Sequence, residues 1–239
     1  MKKLFILIIL MLMPCLFVHA EQTDDSLVLV SQVDKYYKTI TFNDSDSRNI
    51  TIEITKQEYD TANVVNNIKG DATVETTYKK LTSQIYQNDS KYRYKAVLTW
   101  KNFPSTRSYD IIGIGHYASV QRYNGPFFSL YYCKTDGTCN TTSSHYPQTF
   151  AAGSGTSFKL PTGSLTALIA TFYFDVVKTN NVTVTSQIAA ADYAHATSSV
   201  TSSESMNYTV GPGGISLGSS ISSKYDAMNS AIATWSGTW

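Results

Sequence analysis

Residues 72–101 read ATVETTYKKLTSQIYQNDSKYRYKAVLTWK, and they fall into two strands joined by a polar turn, QNDSK. The second half decides the fold class. Tyr92, Tyr94, Ala96, Leu98 and Trp100 alternate with Arg93, Lys95, Val97, Thr99 and Lys101. Successive side chains of a strand point to opposite faces, so this pattern builds half-buried antiparallel sheet with a cationic outer row. The first half sets Val74, Thr76 and Tyr78 on one face and then changes phase to Leu81, Ser83 and Ile85. An extra residue near Lys79-Lys80 flips the alternation in this way, which predicts a β-bulge there.

The same grammar extends in both directions. Upstream, 26–33 (SLVLVSQV), 36–42 (YYKTITF) and 48–55 (RNITIEIT) read as strands, the last two separated by NDSDS. Thr55-Lys56-Gln57-Glu58 has the capping-box pattern and predicts a short helix over 56–66. Downstream, NFPSTRS breaks the chain before YDIIGIGHYASV, a strand with Ile112, Ile114, Ala118 and Val120 in phase. LTALIATFYFDVV (165–177) is apolar on both faces, the expectation for a central strand covered on both sides. KTNN then turns it into VTVTSQIAAA. Strands of this length, with turn signals every 10–15 residues, predict an all-β fold: a two-sheet antiparallel β-sandwich, jelly-roll or Ig-like, with a closed barrel as the alternative.

The character changes at about Thr197. Serine and threonine make up about half of the next residues, and GPGG at 211–214 punctuates them, so 197–218 reads as a linker or extended segment. Beyond it, Ile221, Tyr225, Met228, Ile232 and Trp235 recur at helical spacing. They predict a short amphipathic C-terminal helix over 219–239, N-capped by Ser219 or Ser220 and docked on the sandwich. A partner-binding or membrane-surface helix is the other reading, although the Lys/Arg-rich polar face of interfacial helices is missing.

At the other end, MKKLFILIILMLMPCLFVHA (1–20) has the three parts of a secretory signal peptide, with cleavage expected after Ala20. Pro14 before Cys15 argues against lipidation, and the apolar run is short for a membrane anchor. The expected domain organisation is therefore signal peptide 1–20, β-sandwich 21–196, linker 197–218 and helix 219–239. Removing Lys2 and Lys3 takes the formal charge from +1 to −1, so no basic field exists for nucleic acid. Charged residues are 15% of the chain, and 17 tyrosines with abundant Ser, Thr and Asn take their place. Such a composition suits an exported, all-β protein. The sequons at Asn43, Asn49, Asn88, Asn140, Asn181 and Asn207 arise readily by chance in so Asn- and Thr-rich a chain.

Motifs for catalysis are sparse. Gly214-Ile215-Ser216-Leu217-Gly218 matches the nucleophile elbow, but no histidine follows Ser216 to complete the expected chain order. His116, His145 and His195 show no metal-ligand spacing, and no cofactor motif is present. The acids offer no spacing that singles out a glycosidase pair. The remaining catalytic candidates are Arg107, Asp110 and His116 around one strand; the plainer reading is an Arg-Asp clamp and a core histidine.

Aromatic residues carry the stronger signal. HYASVQRYNGPFFSLYYC clusters them around a Gly-Pro turn, and Tyr117, Tyr123, Phe127, Tyr131, His145 and Tyr146 are the candidate ligand-binding residues on loops near 117–146. Phe128, Leu130 and Tyr132 would fill the core in phase. Cys133 and Cys139 are expected to form a disulfide, since C-x5-C fits neither a zinc knuckle nor a C-x-x-C redox pair. A direct cross-strand bond sets Cys133 opposite Cys139 and leaves a three-residue loop, Thr135-Asp136-Gly137, with Gly137 left-handed. The expected function is a secreted, non-enzymatic protein that binds an extracellular glycan, cell-wall or protein ligand. The alternatives are a β-pore-forming or membrane-active protein, which alone would contact a membrane, and a secreted hydrolase. The pore reading rests on the alternation in NVTVTSQIAAADYAHATSSVTSS, which pore stems share.

Overall fold

A computed structural model describes residues 27–42, 49–62, 67–69, 72–87, 90–179 and 182–239. The expected signal peptide, and the turns at 43–48 and 88–89, lie outside the described residues. The protein is all-β. Its larger sheet takes β1 (Val28–Phe42), β2 (Asn49–Ile54), β3 (Asn67–Lys69), β4 (Ala72–Gln87), β5 (Tyr92–Trp100), β7 (Val120–Lys134), β8 (Cys139–Thr142) and β11 (Leu165–Lys178). Their order is β2-β1-β4-β5-β11-β7-β8, with β3 beside β4, and every pairing is antiparallel. The smaller sheet is built from β6 (Tyr109–Gly115), β9 (Tyr146–Phe150), β10 (Gly153–Lys159), β12 (Ser186–Ala196), β15 (Tyr225–Ala227) and β16 (Ala231–Ser236). It runs β15-β12-β6-β10-β9, with β16 also paired to β12. β13 (Tyr208–Gly211) and β14 (Gly214–Leu217) form a separate hairpin.

Inward rows of both sheets contribute to one core. From β5 come Tyr92, Tyr94, Ala96, Leu98 and Trp100, all buried, while the residues between them are half-buried on the outer face. From β11 come Leu168, Ala170, Phe172, Phe174 and Val176. β6 adds Ile112 and Ile114, and β12 adds Ala189, Ala191 and Tyr193. Contacts cross between the sheets directly. The Trp100 and Tyr193 rings meet edge-on at 5.6 Å, Phe128 and Phe158 at 4.7 Å, and Ser83 Oγ donates to the Ala189 carbonyl at 2.6 Å. A second, smaller core lies on the far side of the smaller sheet. There Ile111, Ala194, Ala196, Val200, Tyr208, Val210, Ile221 and Tyr225 pack beneath the β13–β14 hairpin.

Four local expectations meet different outcomes. Lys56–Thr61 is an α-helix, α1, capped by Thr55 Oγ1, which accepts from Glu58 N at 3.1 Å. The expected bulge at Lys79-Lys80 is absent. β4 pairs with β5 in continuous register from Lys79↔Trp100 to Gln87↔Tyr92, and the phase is kept by turning Lys79 inward, where it is 1% exposed. β11 is central between β5 and β7, yet its outer face, with Ile169, Thr171 and Tyr173, stays partly open.

The C-terminal helix is the fourth and largest correction. Within 219–239, helical structure is confined to the 3-10 turn Ser222–Lys224; β15 and β16 occupy the rest of the ordered elements. The helical stripe is overridden by tertiary pairing. β12 lacks a neighbour on that side until β16 pairs along Ser186–Ala191 and β15 along Ala194–Ala196. In strand geometry, Ala231 and Ala233 point inward while Ile232 is left exposed. A short amphipathic helix holds a few contacts, whereas a strand completes an open hydrogen-bond ladder at a buried edge.

Candidate ligand-binding face

The outer face of the larger sheet carries its aromatic residues in cross-strand rows. Register alone aligns Phe127 (β7), Tyr173 (β11), Lys95 (β5), Gln84 (β4) and Gln32 (β1) across five strands. The adjacent row holds Asp175, Arg93 and Tyr86. Phe127 and Tyr173 stack with centroids 5.0 Å apart and planes 23° apart. The Arg93 guanidinium lies 4.6 Å from the Tyr173 centroid. Its Nε donates to Asp175 Oδ1 at 2.8 Å and its Nη2 to Oδ2 at 3.3 Å, so the fork is held on both prongs. Further along, Gln84 Nε2 donates to Gln32 Oε1 at 2.8 Å. Phe127, Tyr173, Arg93 and Asp175 thus hold one another in place before any ligand arrives.

Tyr123 stands at the rim of this face, 60% exposed, with Lys91 Nζ 4.9 Å from its ring centroid. It belongs to an irregular part of β7, where the register with β11 shifts around Asp175. Gly125 adopts φ +88° there, and the Arg122 guanidinium donates to its carbonyl. A side chain at Gly125 would be strained by that φ and would also press on Phe127 and Phe174. Phe127 is 39% exposed. Tyr131 follows on the same outward phase, its hydroxyl 2.9 Å from Cys133 Sγ.

Cys133 and Cys139 form a disulfide across β7 and β8. Lys134 pairs with Thr138 and leaves a three-residue loop, Thr135 to Gly137. Lys134 N donates to Thr138 O at 2.9 Å, Gly137 N to Lys134 O at 3.0 Å, and Gly137 has φ +86°.

The six expected ligand residues separate into two groups. Tyr123, Phe127 and Tyr131 share β7, a strand rather than a loop. Tyr117 is exposed in the turn between β6 and β7. His145 sits in the β8–β9 connection, its Nδ1 2.6 Å from the Ser143 carbonyl and its ring 5.4 Å from Phe128. Tyr146 opens β9 at the margin of the smaller sheet, against Tyr109 at 5.9 Å. Tyr173, Arg93 and Asp175 complete the ladder and are not among the six expected residues. The signal for Tyr173 was the period-2 row Ile169-Thr171-Tyr173, hidden within a run that is apolar on both faces.

Asp110 and His116 stand at opposite ends of β6. Asp110 is fully buried at the start of β6 and accepts from the Tyr193 hydroxyl, from Ala196 N at 2.9 Å, and from His195, whose Nδ1 lies 3.0 Å from Oδ1. His116 lies past the other end of the strand, beside Tyr94 and Phe174, and burial pushes its imidazole below the usual range. Arg107 remains in the loop before β6. The partner of Asp110 is thus a histidine 85 residues away in sequence, set opposite it by the β6–β12 register.

Lys79 reaches toward the same buried cluster, its Nζ 5.5 Å from the Tyr193 ring centroid. Burial lowers its pKa, against the opposing pull of Asp226 and Asp110. Asp226 in turn accepts from Thr51 and, at 3.3 Å, from Thr39 Oγ1. Asp110, Tyr193, His195 and Lys79 are buried at this end of the core, while Asp226 and Thr51 at its margin are partly exposed. Among the described residues, no group of three or more His, Cys, Asp or Glu side chains could hold a metal ion. No described helix is long and apolar enough to cross a membrane.

No family model and no curated protein matches the chain. Among solved structures it is similar to the C-terminal domain of the Streptococcus agalactiae AgI/II polypeptide BspA, with 7% identity, 84% of each chain covered and a TM-score of 0.35. A second chain of the BspA C-terminal domain has 7% identity, the same coverage and a TM-score of 0.32.

Proposed function

We propose that this chain is an exported two-sheet β-sandwich that binds an extracellular carbohydrate on the outer face of its larger sheet. The observation that carries the reading is the Phe127–Tyr173–Arg93 ladder with Tyr123 at its rim. Sugar rings present flat C–H faces to aromatic side chains and hydroxyls to amides and cations. Tyr123 and Phe127 supply open ring surface, and Lys95, Gln84 and Gln32 follow in the same row. Because the ladder stands on paired strands, little ordering entropy is lost on binding. The disulfide beside Tyr131 and the leader-like residues 1–20 support an oxidising, extracellular setting. The sandwich reading, jelly-roll or Ig-like in its layering, is supported by the rings that meet between the two sheets.

The pore reading finds less support. Along β12 every residue from Gln187 to Ala196 is buried, with the main core on one side and the hairpin on the other. A pore stem needs one row for lipid and one for water, and this strand offers neither.

Binding to a panel of bacterial and host glycans tests the proposal. Tyr123→Ala and Phe127→Ala should each weaken retention roughly tenfold, about 1.4 kcal/mol, with the far-UV spectrum unchanged. Wild-type protein that is retained by no glycan, or variants that bind as well as wild type, would overturn it.

A further inference from the structure

The larger sheet ends at β2, and among the described residues no strand pairs with its outer side. Exposed strand edges present unpaired backbone groups, and proteins usually blunt them with proline, lysine, bulges or short length. Other margins of this protein are blunted so. Pro126 and register shifts interrupt β7, Pro147 sits in β9, and β8 is four residues long. β2, with the sequence NITIEI, has no proline, lysine or bulge, and a single inward-facing charge. Ile50 and Ile52 are 45% and 44% exposed. Its one charge, Glu53, is held by Lys35 of β1 at 2.8 Å. The helix that follows folds back over β1, with Tyr59 5.0 Å from Tyr36, and so covers its own sheet.

We infer that β2 is the contact through which two copies of this chain pair, antiparallel, about a two-fold axis at Ile52. Residues directly opposite in a ladder share a face. With Ile52 opposite its own counterpart, Ile50 faces Ile54 and Thr51 faces Glu53. The outer face then carries one unbroken row of isoleucines from both copies, continued on β1 by Ile40, which pairs with Ile50. The charges are compatible, because Glu53 meets a threonine and no acid opposes an acid. A slip of one residue would set the isoleucine row of one copy beside the Thr51/Glu53 face of the other, which the alternation forbids. An axis perpendicular to the sheet leaves both outer faces on the same side. If those faces bind glycan as proposed above, the dimer is bivalent toward a repetitive surface and gains by avidity.

Light scattering coupled to size-exclusion chromatography of the full-length mature chain, at about 100 µM protein, decides the question. The expected result is the mass of two chains for wild type and of one chain for Ile52→Lys, with identical circular dichroism. Ile52→Cys should form a disulfide-linked dimer on mild oxidation, because the axis places position 52 opposite itself, while Thr99→Cys, far from the axis, should not. A wild-type monomer at this concentration overturns the inference. So does a dimer that persists in Ile52→Lys, or an Ile52→Cys chain that never cross-links. A monomer that still binds glycan would sink this inference alone; a dimer without glycan binding would sink the binding proposal alone.

Discussion

Gly115 of β6 lies against the backbone of Gly211, so close that a Cβ at position 115 would come within 1.6 Å of the Gly211 carbonyl oxygen. Gly113, Gly153 and Gly155 complete the floor on which the hairpin rests, meeting the side chains of Val210 and Tyr208. The hairpin can therefore lie flat on the smaller sheet and seal the second core. Gly115→Ala is expected to lift it and destabilise the protein by about 1–3 kcal/mol, the usual cost of overpacking. Urea unfolding checks the magnitude. Hydrogen exchange should show faster exchange in Tyr208–Leu217 before any other strand.

Asp192 anchors the same hairpin from below. It accepts from Ile215 N at 2.8 Å and from Tyr193 N at 2.7 Å. Burial nevertheless pushes its carboxyl up to about 7, against the opposing hydrogen bonds. A carboxyl raised in the folded state keeps its proton where the unfolded chain has lost it. Its contribution is thus most favourable below about pH 4 and is lost as pH climbs to about 7, by an amount on the order of 4 kcal/mol. Asp192→Asn should flatten this part of the stability profile between pH 4 and 8, measured by urea unfolding. A variant with the same slope as wild type would show that another group is responsible.

Lys79 illustrates a buried charge that costs more than it returns. Its amine is stripped of water, and Asp226 and Asp110 offset this in part. Lys79→Met, which fills the same space without the charge, is expected to be neutral or stabilising. Lys79→Ala leaves a cavity and should cost about 2–4 kcal/mol. Parallel thermal unfolding of the two variants distinguishes the effects, and an equal loss in both would mean that the charge itself holds the sheets together.

The Cys133–Cys139 disulfide closes a very short loop, so chain entropy assigns it about 2 kcal/mol. Reduction with dithiothreitol should lower the urea midpoint modestly while circular dichroism at low denaturant stays unchanged. Complete unfolding on reduction would contradict a local role.

Period-2 alternation was readable wherever one face of a strand is wet. β5 came out residue for residue, and the disulfide hairpin came out with its loop length and its left-handed glycine, because both depend on neighbours within a few residues. The failures are of another kind. The phase change at Lys79 reads as a bulge in the sequence, since nothing local says that a lysine will be buried. The helical stripe from Ile221 to Trp235 became strand, since nothing local says that β12 has an open side. β11 appeared covered on both faces because a half-open face with Ile169 and Tyr173 is apolar too.

The candidate site divides along the same line. Tyr123, Phe127 and Tyr131 are legible because nine residues of one strand carry them. Tyr173, Arg93 and Asp175 came into view only through the β7–β11–β5 register. His195 likewise met Asp110 only through the pairing of β6 with β12. By itself, the sequence determined the all-β class, the inward rows of its clearest strands and the disulfide, all matters of backbone sterics and solvent contrast along a short stretch. Only the tertiary structure decided which strands stand side by side. Pairing energy is shared between segments distant in sequence, and it overrules local preference wherever a buried edge must be completed.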